Sequence, residues 1–124
     1  MYAPLRIGGS NVEHIKREKD VPWTRHPFLP IDVKYFVTRK FDQADVTCFL
    51  TRTPKGGAIP EHVHETQEDI LFLLAGKGKM WVEGIGEFEI EKGTCIRVPK
   101  NTKHRIYGVT EELLVYDVFH PALI

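Results

Sequence analysis

The sequence lacks the features that mark several classes of protein. It has only two cysteines in 124 residues, too few for the disulfide framework of a small secreted scaffold. Lysine plus arginine equals aspartate plus glutamate, 17 of each, so the formal net charge is zero. A nucleic-acid-binding protein usually shows a basic excess, which this chain does not have. No apolar run approaches the roughly 18 residues of a membrane span.

The first twenty residues, MYAPLRIGGSNVEHIKREKD, also lack the apolar core of a signal peptide. We therefore expect a cytoplasmic protein. Cys48 and Cys95 lie in segments with strand character and form no Cys-x-x-Cys motif, so we expect two small buried thiols rather than a disulfide or a zinc ribbon. The length predicts a single domain over residues 1–124, large enough for a hydrophobic core without covalent cross-links.

The chain does contain many short β-rich segments separated by turn residues. These segments are VKYFVTRK, ADVTCFLTRT, DILFLLAG, KMWVEGIGEFEIE, GTCIRVP, HRIYGV and ELLVYDVFH. Glycines in the pattern Gly76-Lys77-Gly78 predict a turn between the third and the fourth of them. Several segments alternate apolar and polar residues, and the close spacing predicts an all-β sandwich or barrel. The best helical candidate, around Val12 to Lys19, is short and polar.

Two of the six histidines, His62 and His64, stand one residue apart. In a strand, residues i and i+2 face the same side, so both rings would point together. Two neighbouring imidazoles can share one metal ion, and a third histidine or a carboxylate would complete the set of ligands. The later segment GTCIRVPKNTKH reads as a strand, a proline turn and then His104. A hairpin partner strand would return His104 to the side of His62.

These residues follow a pattern that resembles the first motif of the cupin superfamily: Gly, five residues, His-x-His, three or four residues, Glu, six residues, Gly. Here five residues separate Gly56 from His62, four separate His64 from Asp69, and six more lead to Gly76. The aspartate replaces the glutamate of the motif. Glu68, the residue before it, satisfies the shorter spacing.

A second motif of the same superfamily reads Gly, five residues, Pro-x-Gly, two residues, His, three residues, Asn. This chain has Gly93, then Pro99-Lys100-Asn101, then His104 and Gly108 at those spacings. Asn101 stands where the motif has glycine, and it also tolerates a left-handed backbone, so we expect the turn to survive. Gly108 removes the final asparagine side chain. The two motifs cover residues 56–108, nearly half of the chain.

The resemblance implies a small jelly-roll β-barrel of two antiparallel sheets, with a divalent metal ion near one open end. The implied ligands are His62, His64 and His104 with Asp69. Glu68 as the carboxylate and a plain three-histidine site remain open alternatives. Asp69 and Glu68 occupy opposite faces of one strand, so only one of them can face the site. Mixed imidazole and carboxylate ligands suit Fe, Mn, Ni or Zn.

Such a site leaves positions open for water and a small-molecule substrate, as in a catalytic centre. We expect a metal-dependent enzyme, with a lean towards O2-dependent, dioxygenase-like oxidation. The first alternative is a redox-neutral isomerase, lyase or hydrolase that uses the metal as a Lewis acid on a carbonyl or sugar-acid substrate. The second is a non-catalytic protein that binds a small ligand. The sequence identifies no catalytic side chain.

The last segment, ELLVYDVFH, is apolar on both faces if it is a strand, so we expect it to be covered on both sides. Together with the resemblance, this predicts a homodimer, with N- or C-terminal strands crossing between subunits. We interpret His14 as solvated, His26 as structural and His120 as exposed or at a subunit contact. We expect the larger apolar side chains to lie in the core or to line the pocket, with the core favoured for each; these are Trp23, Phe28, Tyr35, Phe49, Met80 and Trp81.

Overall fold

The computed structural model describes residues 6–7, 10–11 and 13–124, and it confirms an all-β jelly-roll barrel. The strands in chain order are β1 (Arg6–Ile7), β2 (Ser10–Asn11), β3 (Thr24–Arg25), β4 (Asp32–Val37), β5 (Thr47–Thr53), β6 (Ile59–His62), β7 (Glu68–Val82), β8 (Gly86–Glu91), β9 (Cys95–Val98) and β10 (His104–His120). The described helices are α1 (Arg39–Asp42) and a 3₁₀ turn (Glu18–Asp20). Neither is long and apolar enough to cross a membrane.

The helical candidate around Val12 to Lys19 is not an α-helix where it is described. Val12 lies outside the described residues, and the 3₁₀ turn takes in only Glu18 and Lys19 of this segment. The polar composition of the segment explains this result, because it offers no apolar stripe to bury against the barrel.

Two long strands hold the barrel together. The main sheet has the order β3-β4-β5-β10-β7-β8, with every pair antiparallel, and β6 joins β10 while β9 joins β7. Register shifts along β10, between Tyr107 and Val115, bend it so that its two halves serve both sides of the barrel. The two predicted sheets are therefore continuous through β7 and β10, because bulges let one strand turn a corner without ending.

The glycines at 76 and 78 do not form the predicted turn, and β7 runs through both of them. Gly76 has a φ of +98°. A Cβ placed on Gly76 would lie 2.2 Å from the carbonyl oxygen of Glu112 and 2.7 Å from the Cα of Leu113. Glycine is required here because the backbone of β10 passes directly over β7 where both strands bend.

We expect Gly76→Ala to destabilise the fold much more than Gly84→Ala. Both residues have a positive φ, but a Cβ on Gly84 meets nothing within 4 Å. Strain alone should lower the free energy of unfolding by about 1–2 kcal/mol in Gly84→Ala, and the backbone clash should remove about 2 kcal/mol more in Gly76→Ala. Urea unfolding of both variants measures the difference. Equal losses would mean that β7 and β10 separate easily at this point.

The core lies between the two faces of the barrel and includes the fully buried side chains of Leu73, Met80, Val82 and Leu113. Phe49 is also buried, as predicted, but Phe28 is 90% exposed, so the core prediction is wrong for that residue. The prediction of two buried thiols is also wrong. Both cysteines are free, but Cys48 is half-buried and Cys95 is exposed, because Cys95 shares the outward face of β9 with Arg97.

Several apolar side chains of β7 and β10 point away from the core. Phe72 and Leu74 are 41% and 38% exposed. Across the strand pair, Phe72 lies opposite Tyr116 and Ile70 lies opposite Val118. We call this surface the outer patch and define it as Ile70, Phe72, Leu74, Leu114, Tyr116 and Val118. The residues of β10 in the outer patch are only half-buried within one chain.

Candidate metal centre

The pairing of β6 with the start of β10 brings two of the predicted histidines together. His62 is the direct partner of His104 in this antiparallel ladder, which confirms the expected hairpin-like return. His64 follows the end of β6 and is held by its own backbone, because the N–H of Asn101 donates to the carbonyl oxygen of His64 at 2.6 Å. Asn101 has a φ of +58°, the left-handed conformation predicted for it.

The three histidine rings form a compact cluster. Ring centroids are 4.1 Å apart for His62 and His104, 5.0 Å for His62 and His64, and 5.4 Å for His64 and His104. One nitrogen from each ring lies within 4.8 Å of the other two. The prediction from the strand period was only partly right, since His64 lies beyond the strand and reaches the cluster through the loop that Asn101 holds.

Backbone carbonyls set the orientation of two of these rings. Nδ1 of His62 lies 2.8 Å from the carbonyl oxygen of Pro60, and Nδ1 of His104 lies 2.9 Å from that of Thr102. A carbonyl can only accept, so each neutral ring must carry its proton on Nδ1 and present a lone pair on Nε2. A hydrogen bond of this kind fixes both the tautomer and the direction of a metal-binding histidine.

The remaining nitrogens are buried without a protein partner. Nε2 of His64 and Nε2 of His104 make no hydrogen bond. Burial, reinforced by His62 and His104, lowers the pKa of His64 to about 4. Burial also lowers the pKa of His104, and His62 adds to that effect. Both rings are therefore neutral at neutral pH, which is the protonation state that binds a metal ion.

Asp69 is the carboxylate beside this cluster. It is buried, and its Oδ2 lies 4.0 Å from Nε2 of His104. Burial raises the pKa of Asp69. Glu68 points to the opposite face, where its Oε2 accepts from Arg97 at 2.8 Å. The expected separation of the two acids onto opposite strand faces is thus observed, and Asp69 is the one that faces the histidines.

A second buried carboxyl, Asp117, was not singled out from the sequence. It lies on the inner face of β10, 6% exposed, within hydrogen-bonding reach of Asp69. Burial raises the pKa of Asp117 well above its usual range, and the neighbouring Asp69 raises it further. The available signal was a single charged residue on a strand face otherwise made of Leu113, Val115 and Phe119.

His26 also lies at the site, although it is far from both motifs in the sequence. It lines the same cavity as the three clustered histidines. Burial lowers the pKa of His26, and His62 contributes to the shift. Its Nδ1 accepts from the backbone N–H groups of Phe28 and Leu29, each at 3.1 Å. The structural interpretation of His26 is therefore incomplete, because the ring both shapes its loop and faces the cavity. No sequence pattern marks this position.

The histidines and carboxyls open into a cavity of about 500 Å³ inside the barrel. Most of its wall is apolar, with Phe49, Ile59, Leu71, Ile106 and Phe119 among the lining residues. Thr51 and Thr53 add hydroxyl groups. Among the cavity-lining residues that the structure describes, none is a lysine or an arginine. The cavity has the size and the mixture of groups of a small-molecule site.

The profile of a protein family described as "Cupin domain" matches residues 49–119, more than half of the chain. The match begins in β5 and ends near the end of β10. It therefore contains every polar group of the cluster described above, and only His26 lies outside it. The matched regions span less than half of the length of the curated relatives.

An uncharacterized protein of Methanocaldococcus jannaschii is 36% identical over 56 residues, which cover 45% of this chain and 44% of that protein. Quercetin 2,3-dioxygenase of Bacillus subtilis is 37% identical over 73 residues, which cover 55% of this chain and 21% of that enzyme. A predicted oxalate decarboxylase of Thermotoga maritima superposes with a TM-score of 0.76, at 16% identity over 86% of this chain and 98% of that one. The last similarity shows the fold alone.

Proposed function

This chain belongs to the cupin family, and we propose that it is a metal-dependent enzyme that acts on a small molecule at a single metal ion. The ligands in this proposal are His62, His64 and His104, with Asp69 as the carboxylate. The metal is a divalent Fe, Mn, Ni or Zn ion. A single domain over residues 1–124 and a cytoplasmic location stay predictions from the sequence.

One observation carries the proposal. Buried imidazole nitrogens without hydrogen-bond partners converge at the wall of a cavity. A buried polar atom without a partner destabilises the folded state by about 1–3 kcal/mol. A cation that accepts the lone pairs of these nitrogens would remove that penalty. The Nδ1 bonds of His62 and His104 already direct Nε2 inward, so the donor set fits one divalent ion.

Asp69 is supported as the fourth ligand by its position. Oδ2 of Asp69 lies 4.0 Å from Nε2 of His104. The other carboxyl oxygen, Oδ1, is buried and has no hydrogen-bond partner. Glu68 is engaged by Arg97 on the outside of the barrel, so it would have to break an ion pair and reverse its direction to reach the histidines. A carboxylate also offsets part of the charge of a divalent ion, which neutral imidazoles cannot do.

We expect the purified protein to carry close to one transition-metal ion per chain. His62→Ala or His104→Ala should remove most of it, because each variant deletes one oriented nitrogen. Asp69→Ala should weaken metal affinity about 10- to 100-fold, and Glu68→Ala, the matched control on the opposite face, should change it little. Elemental analysis and competition with a chelator measure both effects. A larger loss in Glu68→Ala than in Asp69→Ala would contradict the assignment.

The character of the cavity favours oxidation over the handling of a small anion. The walls are apolar, and no lysine or arginine among the described lining residues would balance the charge of a substrate carboxylate that lies away from the metal. A redox-active ion bound by these ligands would supply activation of O2 and of a substrate oxygen. The apolar side chains would hold the body of the substrate and exclude water. The similarity to quercetin 2,3-dioxygenase agrees with this choice.

Lewis-acid chemistry is the second candidate, supported by a different observation. The buried Asp69 and Asp117 carboxyls adjoin the histidines, and a carboxyl of raised pKa can give or take a proton in an isomerase, lyase or hydrolase reaction. A fold like that of a predicted oxalate decarboxylase is compatible with this chemistry. A non-catalytic, ligand-binding role would use the same cavity without turnover.

Oxygen consumption separates these functions. Iron-loaded protein, screened against small metabolites with an oxygen electrode, should consume O2 with its substrate, and zinc-loaded protein should not. His104→Ala, treated with iron in parallel, is the control for free iron. Turnover of the same substrate by the zinc form without O2 would replace oxidation with Lewis-acid chemistry. Ligand-induced stabilisation without product under every metal would leave only the binding role.

We also propose that the protein is a homodimer that buries the outer patch. Phe72 and Leu74 expose apolar area on the strand pair of β7 and β10, and a two-fold arrangement would pack this surface against its own copy. β10 pairs with β5, β6 and β7 of its own chain. This arrangement favours packing of outer patches over the exchange of β10 that the sequence suggested as one possibility.

Light scattering during size-exclusion chromatography should give the mass of a dimer at micromolar concentration. Phe72→Glu should produce a monomer, because it places a charge in the middle of the buried surface. Ile85→Glu is the matched control, since Ile85 is 69% exposed in the turn between β7 and β8, outside the outer patch. A monomeric wild-type protein would contradict the proposal.

A further inference from the structure

Asp117 is a buried carboxyl on a strand face that is otherwise apolar. It lies on the inner face of β10, opposite Phe49 on β5 and Leu71 on β7. Its neighbours along the same face of β10 are Val115 and Phe119, both apolar and buried. An apolar residue would continue this face without any polar burial, so the carboxyl weakens the folded state at a position where leucine or valine would stabilise it.

The carboxyl is also incompletely satisfied. Oδ1 of Asp117 is buried and makes no hydrogen bond, and the residue lines the cavity. Asp69 lies beside it, and Asp69 in turn lies next to His104. Asp117 therefore adjoins the proposed ligand Asp69 and lines the cavity that a bound molecule would fill.

We propose that Asp117 is a specificity-determining residue that binds a hydroxyl or amine group of the ligand. The proposal rests on the proposed function, since it places the ligand in the cavity next to the metal. An unpartnered acceptor in an apolar wall discriminates strongly, because a ligand without a donor leaves it unpaired. The ligand class is a small molecule with a metal-binding oxygen, a nearby hydroxyl or amine, and an apolar remainder.

The competing explanation is that Asp117 only orients Asp69. In that case it would act through the metal ligand, and its loss would weaken every metal-bound molecule equally. If Asp117 contacts the ligand, its loss should lower the affinity only of molecules that carry a hydrogen-bond donor at the right place. The preference of the protein between matched ligands therefore distinguishes the two explanations, whereas affinity for one ligand does not.

The first test uses stability and needs no ligand. Asp117→Leu and Asp117→Asn should be at least as stable to urea as the wild-type protein, because each removes a buried carboxyl that the fold does not use. Val115→Leu, at the adjacent inward position, is the control for added volume. If Asp117→Leu unfolds at a lower urea concentration than Val115→Leu, Asp117 supports the fold and the proposal is overturned.

The second test measures binding of paired probes to zinc-loaded protein by calorimetry. Each of the three hydroxybenzoates is compared with the methylbenzoate of the same substitution pattern, since the carboxylate can reach the metal and methyl matches hydroxyl in size. We expect the wild-type protein to prefer at least one hydroxyl isomer about tenfold or more. Asp117→Leu should abolish the preference, while Asp117→Asn, which keeps an acceptor oxygen, should retain it.

Zinc content measured on the same samples separates the possible failures. A wild-type protein that binds zinc but prefers no hydroxybenzoate over its methyl partner overturns the role of Asp117 and leaves the metal centre standing. An unchanged preference in Asp117→Leu, with all probes weakened equally, assigns Asp117 to the orientation of Asp69 instead. A wild-type protein that takes up no zinc, iron, manganese or nickel overturns the metal centre, and the stability comparison then still decides whether Asp117 serves the fold.

Discussion

The pairing of β10 with three other strands is the interaction on which the rest of the structure depends. β10 runs from His104 to His120 and pairs with β6 and β7 at its start and with β5 and β7 towards its end. It therefore places His104 beside His62 and, thirteen residues later, Asp117 beside Asp69. An odd number of residues would put the two side chains on opposite faces of a regular strand. The register shifts between Tyr107 and Val115 change this alternation, so both side chains line the same cavity.

The buried polar groups of the site destabilise the barrel that holds them. Four buried side-chain atoms lack partners among the described residues, and they belong to His64, Asp69, His104 and Asp117. The apolar walls that make the cavity suitable for a small molecule also raise the free energy of any charge within it. Burial keeps the two histidines neutral and favours protonated carboxyls. The buried apolar core around the site, which includes Leu71, Ile106 and Val115, offsets this cost.

The sequence was most informative where chemistry and spacing coincide. The His-x-His pair, the later histidine and the turn at Asn101 could each be predicted, because short-range backbone rules control them. The period of a strand predicted that only one of Glu68 and Asp69 faces the site, and the motif spacing to Gly76 favoured Asp69. Predictions failed where a residue's surroundings come from distant segments. Gly76 looks like a turn residue, but it allows the backbone of β10 to approach β7 closely. Cys95 looks like a core residue, but it lies on the outward, solvated face of a short strand.

The sequence by itself determined the fold class, the family and the identity of the clustered histidines, because motif spacing and strand alternation are local properties of the chain. Only the tertiary structure decided which other groups join them. His26 enters the cavity from a loop near the N-terminal side of β4, and Asp117 enters from the last strand. No local pattern marks His26, and the lone charge of Asp117 on an apolar strand face does not show what it contacts, because segments far apart in the chain close around one cavity.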